Sequence, residues 1–301
     1  MAGPTADVAD PHAANPRGAH SLAPDREPAP NPILLVHSIN ASASAHEVRP
    51  LFAALAARGP TYAIDLPGYG HSERSERTYD QRLMIDALHA MIDRIRDEND
   101  RKPVDALAVS ISCEFLARAA LEAPATIRSL ALVSPTGLAK NAFTRGPPDA
   151  DCRKPAVLRV LEVPWIGQPL FRLLRSPTSI RFFLRKTWGR KAIDEEFFRI
   201  SCLMARFPGA HRAPFHFLSG YLFGADMPTN YAALGLPTWL SHGVRGDFTD
   251  FSRAAVVADR PNWRITAFPT GALPYLELPE RFLASYQDVL ERVDDGLALK
   301  P

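Results

Sequence analysis

The chain has 301 residues, of which 46% are hydrophobic, and a formal net charge of +2. That length suits one large α/β domain or two small ones, and the apolar fraction rules out global disorder. The near-neutral balance argues against a protein built to coat nucleic acid, which needs a basic stripe over the phosphates. Cys113, Cys152 and Cys202 are odd in number and widely spaced, so neither a disulfide framework nor a structural zinc site is expected, and a reducing compartment is the simpler reading.

Residues 1–31 are rich in Ala and Pro, with almost no large apolar side chains. Prolines recurring from Pro4 to Pro32 block helix and sheet alike, so this stretch reads as a disordered arm. It lacks the apolar run of a signal peptide. No segment reaches the roughly 20 apolar residues that span a bilayer. A soluble, cytoplasmic protein is the expectation.

After the arm, strands and helices alternate. Ile33-Leu34-Leu35-Val36 is a continuous apolar run suited to a strand buried on both faces of a parallel sheet. Residues 45–58 show helical spacing through Val48, Leu51, Phe52 and Leu55. Tyr62-Ala63-Ile64 is the next strand, closed by the breakers Leu66-Pro67-Gly68-Tyr69-Gly70. A long amphipathic helix over 79–98 places Leu83, Met84, Ala87, Leu88, Met91, Ile92 and Ile95 on one face. Strands are predicted over 104–109 and 127–133, with a helix over 113–123 between them. Two more strands lie near 238–240 and 264–268, each followed by a helix of about ten residues. This order implies an α/β fold: an open, mostly parallel sheet with helices on both faces.

Between 138 and 226 the rhythm breaks. No strand pattern appears, and short helices with aromatic pairs such as Phe182-Phe183 and Phe197-Phe198 are punctuated by prolines. The segment 139–225 holds 15 Lys and Arg against 6 Asp and Glu, so it is basic by about +9. A basic solvated face and a ligand-binding face both fit that excess.

The order of motifs resembles the α/β-hydrolase fold superfamily, in its cap-bearing, serine esterase-like and lipase-like branch, over about 32–292. Val36-His37-Ser38-Ile39-Asn40 stands where that family has a His-Gly loop. Asp65-Leu66-Pro67-Gly68-Tyr69-Gly70-His71-Ser72 matches its D-x-P-G-x-G-x-S turn. Val104 through Ser112 sits at the nucleophile elbow, and Ser129 through Pro135 resembles the strand before the cap. Gly243 through Asp247 falls where the acid follows a strand, and Leu273-Pro274-Tyr275-Leu276-Glu277 resembles the C-terminal loop. The resemblance implies a core over 32–137 and 227–293 with a helical cap over 138–226.

The same resemblance assigns roles. Ser110 is the nucleophile candidate, flanked at two residues' distance by Ala108 and Ser112, small residues in place of the usual glycines. Otherwise Ser110 is a buried or capping serine, and choosing Ser112 as nucleophile lengthens the strand by two residues. The oxyanion hole would be the N–H of Ile111 and an N–H of the 37–40 loop, that of Ile39. His37 reads as a structural hydrogen-bonding group of that loop. Asp247 is the acid candidate, with Asp250 as a nearby substitute; both also suit a helix N-terminus.

The histidine is missing. Alignment on Leu273-Pro274 puts Ala272 at its position, Tyr275 occupies a neighbouring one, and no histidine follows His242. A serine hydroxyl without a general base is a poor nucleophile. Three explanations remain open. A surrogate, His242 or His37, reaches Ser110. Alternatively the site runs chemistry that needs only the oxyanion hole and another acid or base, or the protein is a degraded hydrolase that binds or scaffolds. His242 is the best surrogate because it ends a strand on the edge where open sheets build their sites. The expected substrate is a small apolar molecule with an ester or related acyl bond, held by cap residues such as Trp165, Phe171, Phe182, Phe183, Trp188 and Phe215. Arg181, Arg185 and Arg190 are candidate contacts to a remote anionic group. No metal, organic cofactor, nucleic acid or membrane span is implied, and the oligomeric state is open.

Overall fold

The computed structural model describes residues 30–140 and 152–300. The arm lies outside these residues except for its last two. Six parallel strands form one open sheet in the order β2-β1-β3-β4-β5-β6. In chain order the elements begin with β1 (Ile33–Val36), a 3₁₀ turn (Ala45–Val48), α1 (Arg49–Ala56), β2 (Thr61–Ile64) and α2 (Gln81–Glu98). β3 (Val104–Val109), α3 (Ser112–Glu122) and β4 (Ile127–Val133) follow. Six helices then intervene: α4 (Pro155–Glu162), α5 (Pro164–Leu174), α6 (Pro177–Trp188), α7 (Glu195–Met204), α8 (Arg212–Leu218) and α9 (Met227–Ala233). The chain closes with β5 (Thr238–Gly243), α10 (Ala255–Ala258), β6 (Trp263–Phe268), α11 (Pro274–Glu277) and α12 (Pro279–Asp294).

The expected α/β fold is the one observed, and its central strands are apolar for the anticipated reason. Every residue of β1 and β3 is buried, because helices cover both faces of the sheet. On one face α2 and α3 pack; on the other α1, α12 and the end of α6. The side chain of Asp80 caps α2 by accepting the Leu83 N–H at 3.0 Å, and Met84, Ile85, Leu88, Ile92 and Ile95 form its buried stripe. Each such side chain contributes roughly 1.5–3 kcal/mol when fully buried. Among the described residues between β4 and β5 there are helices and no strand, as the break in periodicity implied.

Two local expectations are corrected. Residues 45–58 are not one helix: a 3₁₀ turn precedes α1, whose start is set by Pro50. The segment after β5 is not a ten-residue helix but a 3₁₀ turn and the four-residue α10, with Pro261 following shortly.

Strand order reverses between β1 and β3. In an open sheet, ligands collect at such a switch point, beyond the carboxyl ends of the strands. The 37–40 loop leaves β1 there, and Ser110 leaves β3 beside it.

Candidate active site

Ser110 follows β3 directly and precedes α3, and its backbone φ is +58°. A non-glycine residue in the left-handed region carries strain that the surroundings must hold. They do so through main-chain bonds: Ser110 N–H donates to the Val133 carbonyl at 2.8 Å, and Cys113 N–H donates to the Ser110 carbonyl at 3.1 Å. Both flanking residues, Ala108 and Ser112, are fully buried and small, so strand and helix can meet here. The Ser110 hydroxyl makes no hydrogen bond with any described residue.

Ser112 has a different task. Its hydroxyl donates to the His37 carbonyl at 2.6 Å, tying the first turn of α3 to the loop after β1. That loop is also held from below. Glu47, 1% exposed, accepts the Ser38 N–H at 2.9 Å and the Ser38 hydroxyl at 2.7 Å on one carboxyl oxygen, and the Tyr275 hydroxyl at 3.0 Å on the other. Burial pushes the Glu47 carboxyl above the usual carboxylate range, opposed by the Ser38 and Tyr275 bonds. Burial also carries the Tyr275 phenol well above its ordinary value. Between these anchors the N–H groups of Ile39 and Ile111 find no acceptor among the described residues. An unclaimed hydroxyl and two unclaimed donors on adjoining turns are the groups that stabilisation of a tetrahedral oxyanion requires.

His37 is fully buried, and both of its ring nitrogens are occupied. Nε2 accepts the Leu66 N–H at 3.1 Å, so Nδ1 carries the proton that is shared with the Ser38 carbonyl at 2.5 Å. Burial lowers its pKa, the Ser38 bond opposing. It serves the loop as a structural group. His242 lies two strands from Ser110, about 10 Å at the usual inter-strand spacing. Its Nδ1 meets the Gly243 carbonyl at 2.9 Å, and its ring lies on Phe251 with centroids 4.4 Å apart. No hydrogen bond joins it to Ser110. Asp247 is exposed and pairs with Lys186 of α6 at 2.7 Å. Asp250 accepts the Lys140 and Ser252 N–H groups at 2.9 and 3.1 Å, and the bonds at Ser252 and Lys140 lower its pKa. The bond from Ser112 to the His37 carbonyl thus ties the loop that holds Ile39 to the turn of Ser110 and Ile111, while the hydrogen bonds and ion pair of Asp247 and His242 go to other residues.

The loop after β6 shows what stands where a histidine would. Ala272 is buried; its N–H donates to the Thr187 carbonyl at 2.8 Å and its carbonyl accepts the Ser134 hydroxyl at 2.6 Å. A Cβ on Gly271 would stand 2.4 Å from that same Thr187 oxygen and 2.5 Å from Trp188. The last turn of α6 thus meets the loop backbone to backbone. Trp188 belongs to the same buried apolar cluster as Val109, Val133, Phe268 and Tyr275, and its ring meets Phe197 with centroids 5.8 Å apart. Arg245 donates to the Trp188 carbonyl and pairs with Glu277, which also receives Arg190 and accepts the Gly271 N–H at 2.7 Å. The arginines expected to meet an anionic group are engaged within the protein: Arg190 by Glu277, Arg181 by Glu195, and Arg185 Nε by the Lys191 carbonyl.

One buried acid on α3 went unnoticed in the sequence. Glu114, one turn beyond Ser110, accepts the Thr136 hydroxyl and the Gly224 N–H at 2.7 Å, and burial pushes its carboxyl up to about 7. Among the described residues, no cluster of three His, Cys, Asp or Glu could hold a metal, and no helix is long and apolar enough to cross a membrane.

A sequence profile for the α/β hydrolase fold matches residues 31–161. No curated protein sequence matches the chain. Among solved structures, an esterase from Exiguobacterium antarcticum superposes with a TM-score of 0.67 at 16% identity, covering 88% of this chain and 93% of that one. A meta-cleavage product hydrolase from Pseudomonas fluorescens gives 0.66 at 16% identity, over 89% and 92%. A probable hydrolytic enzyme from Pseudomonas aeruginosa gives 0.64 at 21% identity, over 86% and 85%.

Proposed function

This chain has the α/β-hydrolase fold, and from that premise we propose that it is a serine hydrolase-like protein acting slowly on an ester or related acyl bond of a small apolar substrate. The observation that carries the reading is the trio at the switch point: a serine at φ +58° with a free hydroxyl, between two N–H groups without acceptors. The Ser110 oxygen attacks the acyl carbon as its proton passes to water, and the Ile39 and Ile111 N–H groups receive the oxyanion. The leaving group departs with the electron pair of its bond to the acyl carbon, and a water then cleaves the acyl-serine ester to release the acid and restore the hydroxyl. Without a histidine, roughly 10³–10⁴-fold catalysis over water remains from the oxyanion hole and binding. Substrates whose leaving group departs as a stable anion suit this site, because they need no general acid. The helices between β4 and β5 act as the cap over it. The esterase and the meta-cleavage product hydrolase of similar fold belong to the same broad reaction class.

A second reading is supported by the other side of the site. Ala272, the residue aligned with the triad histidine, is bonded through its N–H to Thr187 at the end of α6, which suits a degraded hydrolase that binds or scaffolds. Labelling with a fluorophosphonate separates the two. Wild type is expected to label slowly and Ser110→Ala not at all; absence of labelling in wild type removes the hydrolase reading and leaves the binding one.

A further inference from the structure

Six of the fifteen exposed large apolar side chains among the described residues fall within residues 155–188: Val157, Val160, Trp165, Leu173, Phe182 and Phe183. These 34 residues comprise three consecutive helices, with α4 packed on α5 and α5 on α6. Each buries its inner residues, Leu158 and Leu161, Phe171, and then Ile180, Leu184 and Trp188. The exposed positions hold mainly apolar and cationic groups, with Glu162, Gln168 and Thr178 among them. Trp165 is 78% exposed and Leu173 63%, far from the behaviour of a satisfied packing residue.

The charge on the same helices has one sign. Residues 155–188 carry six Arg and Lys against the single acid Glu162, Arg181 being paired with Glu195 and Lys186 with Asp247. Arg159, Arg172 and Arg175 form no ion pair with any described residue, and Lys186 lies over the Phe182 ring at 5.3 Å. A nucleic acid would use the cations but leave Leu173 and Val160 without a role. A second copy would bring two cationic faces together. An anionic lipid surface uses both: Trp, Phe and Leu enter the headgroup boundary while Arg and Lys meet the lipid phosphates.

We infer that the outer face of α4, α5 and α6 docks on membranes containing anionic lipid, as a peripheral contact and not a span. This inference does not rest on Ser110 or on any activity. Binding is electrostatic as well as hydrophobic, so it weakens as salt is raised.

The full chain supplies its own probe. Of four tryptophans, Trp188, Trp239 and Trp263 are at most 2% exposed, so a change in emission on binding reports Trp165. Titration with phosphatidylcholine vesicles containing about 30% phosphatidylglycerol is expected to shift emission to the blue and to sediment the protein. Pure phosphatidylcholine vesicles should do neither. The double variant Arg172→Glu, Arg175→Glu should lower the partition coefficient by about 25-fold or more, at roughly fivefold for each charge near an anionic surface. Trp165→Ala should abolish the shift and weaken sedimentation. Unchanged emission and no sedimentation with either vesicle would overturn the inference. So would vesicle-independent dimerisation that shifts Trp165 emission, or binding to duplex DNA without binding to vesicles.

Discussion

The two sides of the candidate site are built by different means. At the nucleophile side, side chains hold the backbone: Ser112 reaches the His37 carbonyl, and Glu47 gathers Ser38 and Tyr275. Anchoring through other atoms leaves the Ser110 hydroxyl and the Ile39 and Ile111 N–H groups without a hydrogen bond to any described residue. At the histidine side, backbone meets backbone: Ala272 N–H to the Thr187 carbonyl, Gly271 against Thr187 and Trp188. That construction consumes the polar groups and leaves no room between the chains. The difference teaches that the halves of a hydrolase site are separable. An elbow is fixed by strand–helix packing that the fold needs in any case, whereas a triad histidine hangs on a loop that another element can occupy.

The nucleophile side breaks hardest at Glu47. Glu47→Ala strands the Ser38 N–H and hydroxyl and the Tyr275 hydroxyl in a buried place, at about 1–3 kcal/mol for each unsatisfied group. A loss of about 4 kcal/mol in urea unfolding is expected; a loss below about 1 kcal/mol would show that the loop stands without this anchor.

Glu114 sharpens the same side through pH. Its folded-state pKa, about 7, lies above its ordinary 4.5. The folded state therefore holds the proton more tightly than the unfolded one. The associated stability is complete below about pH 4.5 and is lost as pH rises through 7. Wild type should lose about 3 kcal/mol relative to Glu114→Gln between about pH 4 and pH 8, in paired denaturation series. Parallel pH curves for the two proteins would contradict the shift.

The histidine side is tested by Ala272→His. A larger side chain at this buried position costs roughly 1–3 kcal/mol in melting experiments. If the imidazole reaches Ser110, p-nitrophenyl acetate turnover rises about 100-fold, within the usual range for a general base. A folded variant with unchanged turnover would mean that α6, and not the lost residue alone, excludes a base.

The smallest effect belongs to Asp247. It is exposed and paired with exposed Lys186, so Asp247→Ala should change stability by no more than about 0.5 kcal/mol. Fluorophosphonate labelling should be unaltered. A clear fall in labelling would restore Asp247 to the site.

Much of the sheet was readable because β1 is a continuous apolar run and β3 and β4 are apolar apart from Asp105, Arg128 and Ser129 near their starts. β5 was not fully readable: Ser241, His242 and Gly243 are polar or small, yet they pair with Thr266, Ala267 and Phe268 of β6. Ser110 could be placed by motif order. Glu47 could not be assigned, since Tyr275 is 228 positions away and no local pattern links them. A signal did exist, because Glu47 precedes Val48 on the buried side of a helical stripe, whereas Phe52, counted in that stripe, is 40% exposed. Thr187 and Gly271 offered no signal, because their contact is made by main chain, which residue type barely encodes.

The bond from Ala272 N–H to the Thr187 carbonyl also acts as a clock. Any excursion that lifts the end of α6 releases that amide to solvent, while the Ser110 amide stays bonded to Val133 inside the sheet. Amide exchange follows the free energy of the smallest opening that exposes each proton. The two protons, neighbours in the site, therefore keep different times: one counts partings of the helices from the sheet, the other counts unfolding of the sheet itself.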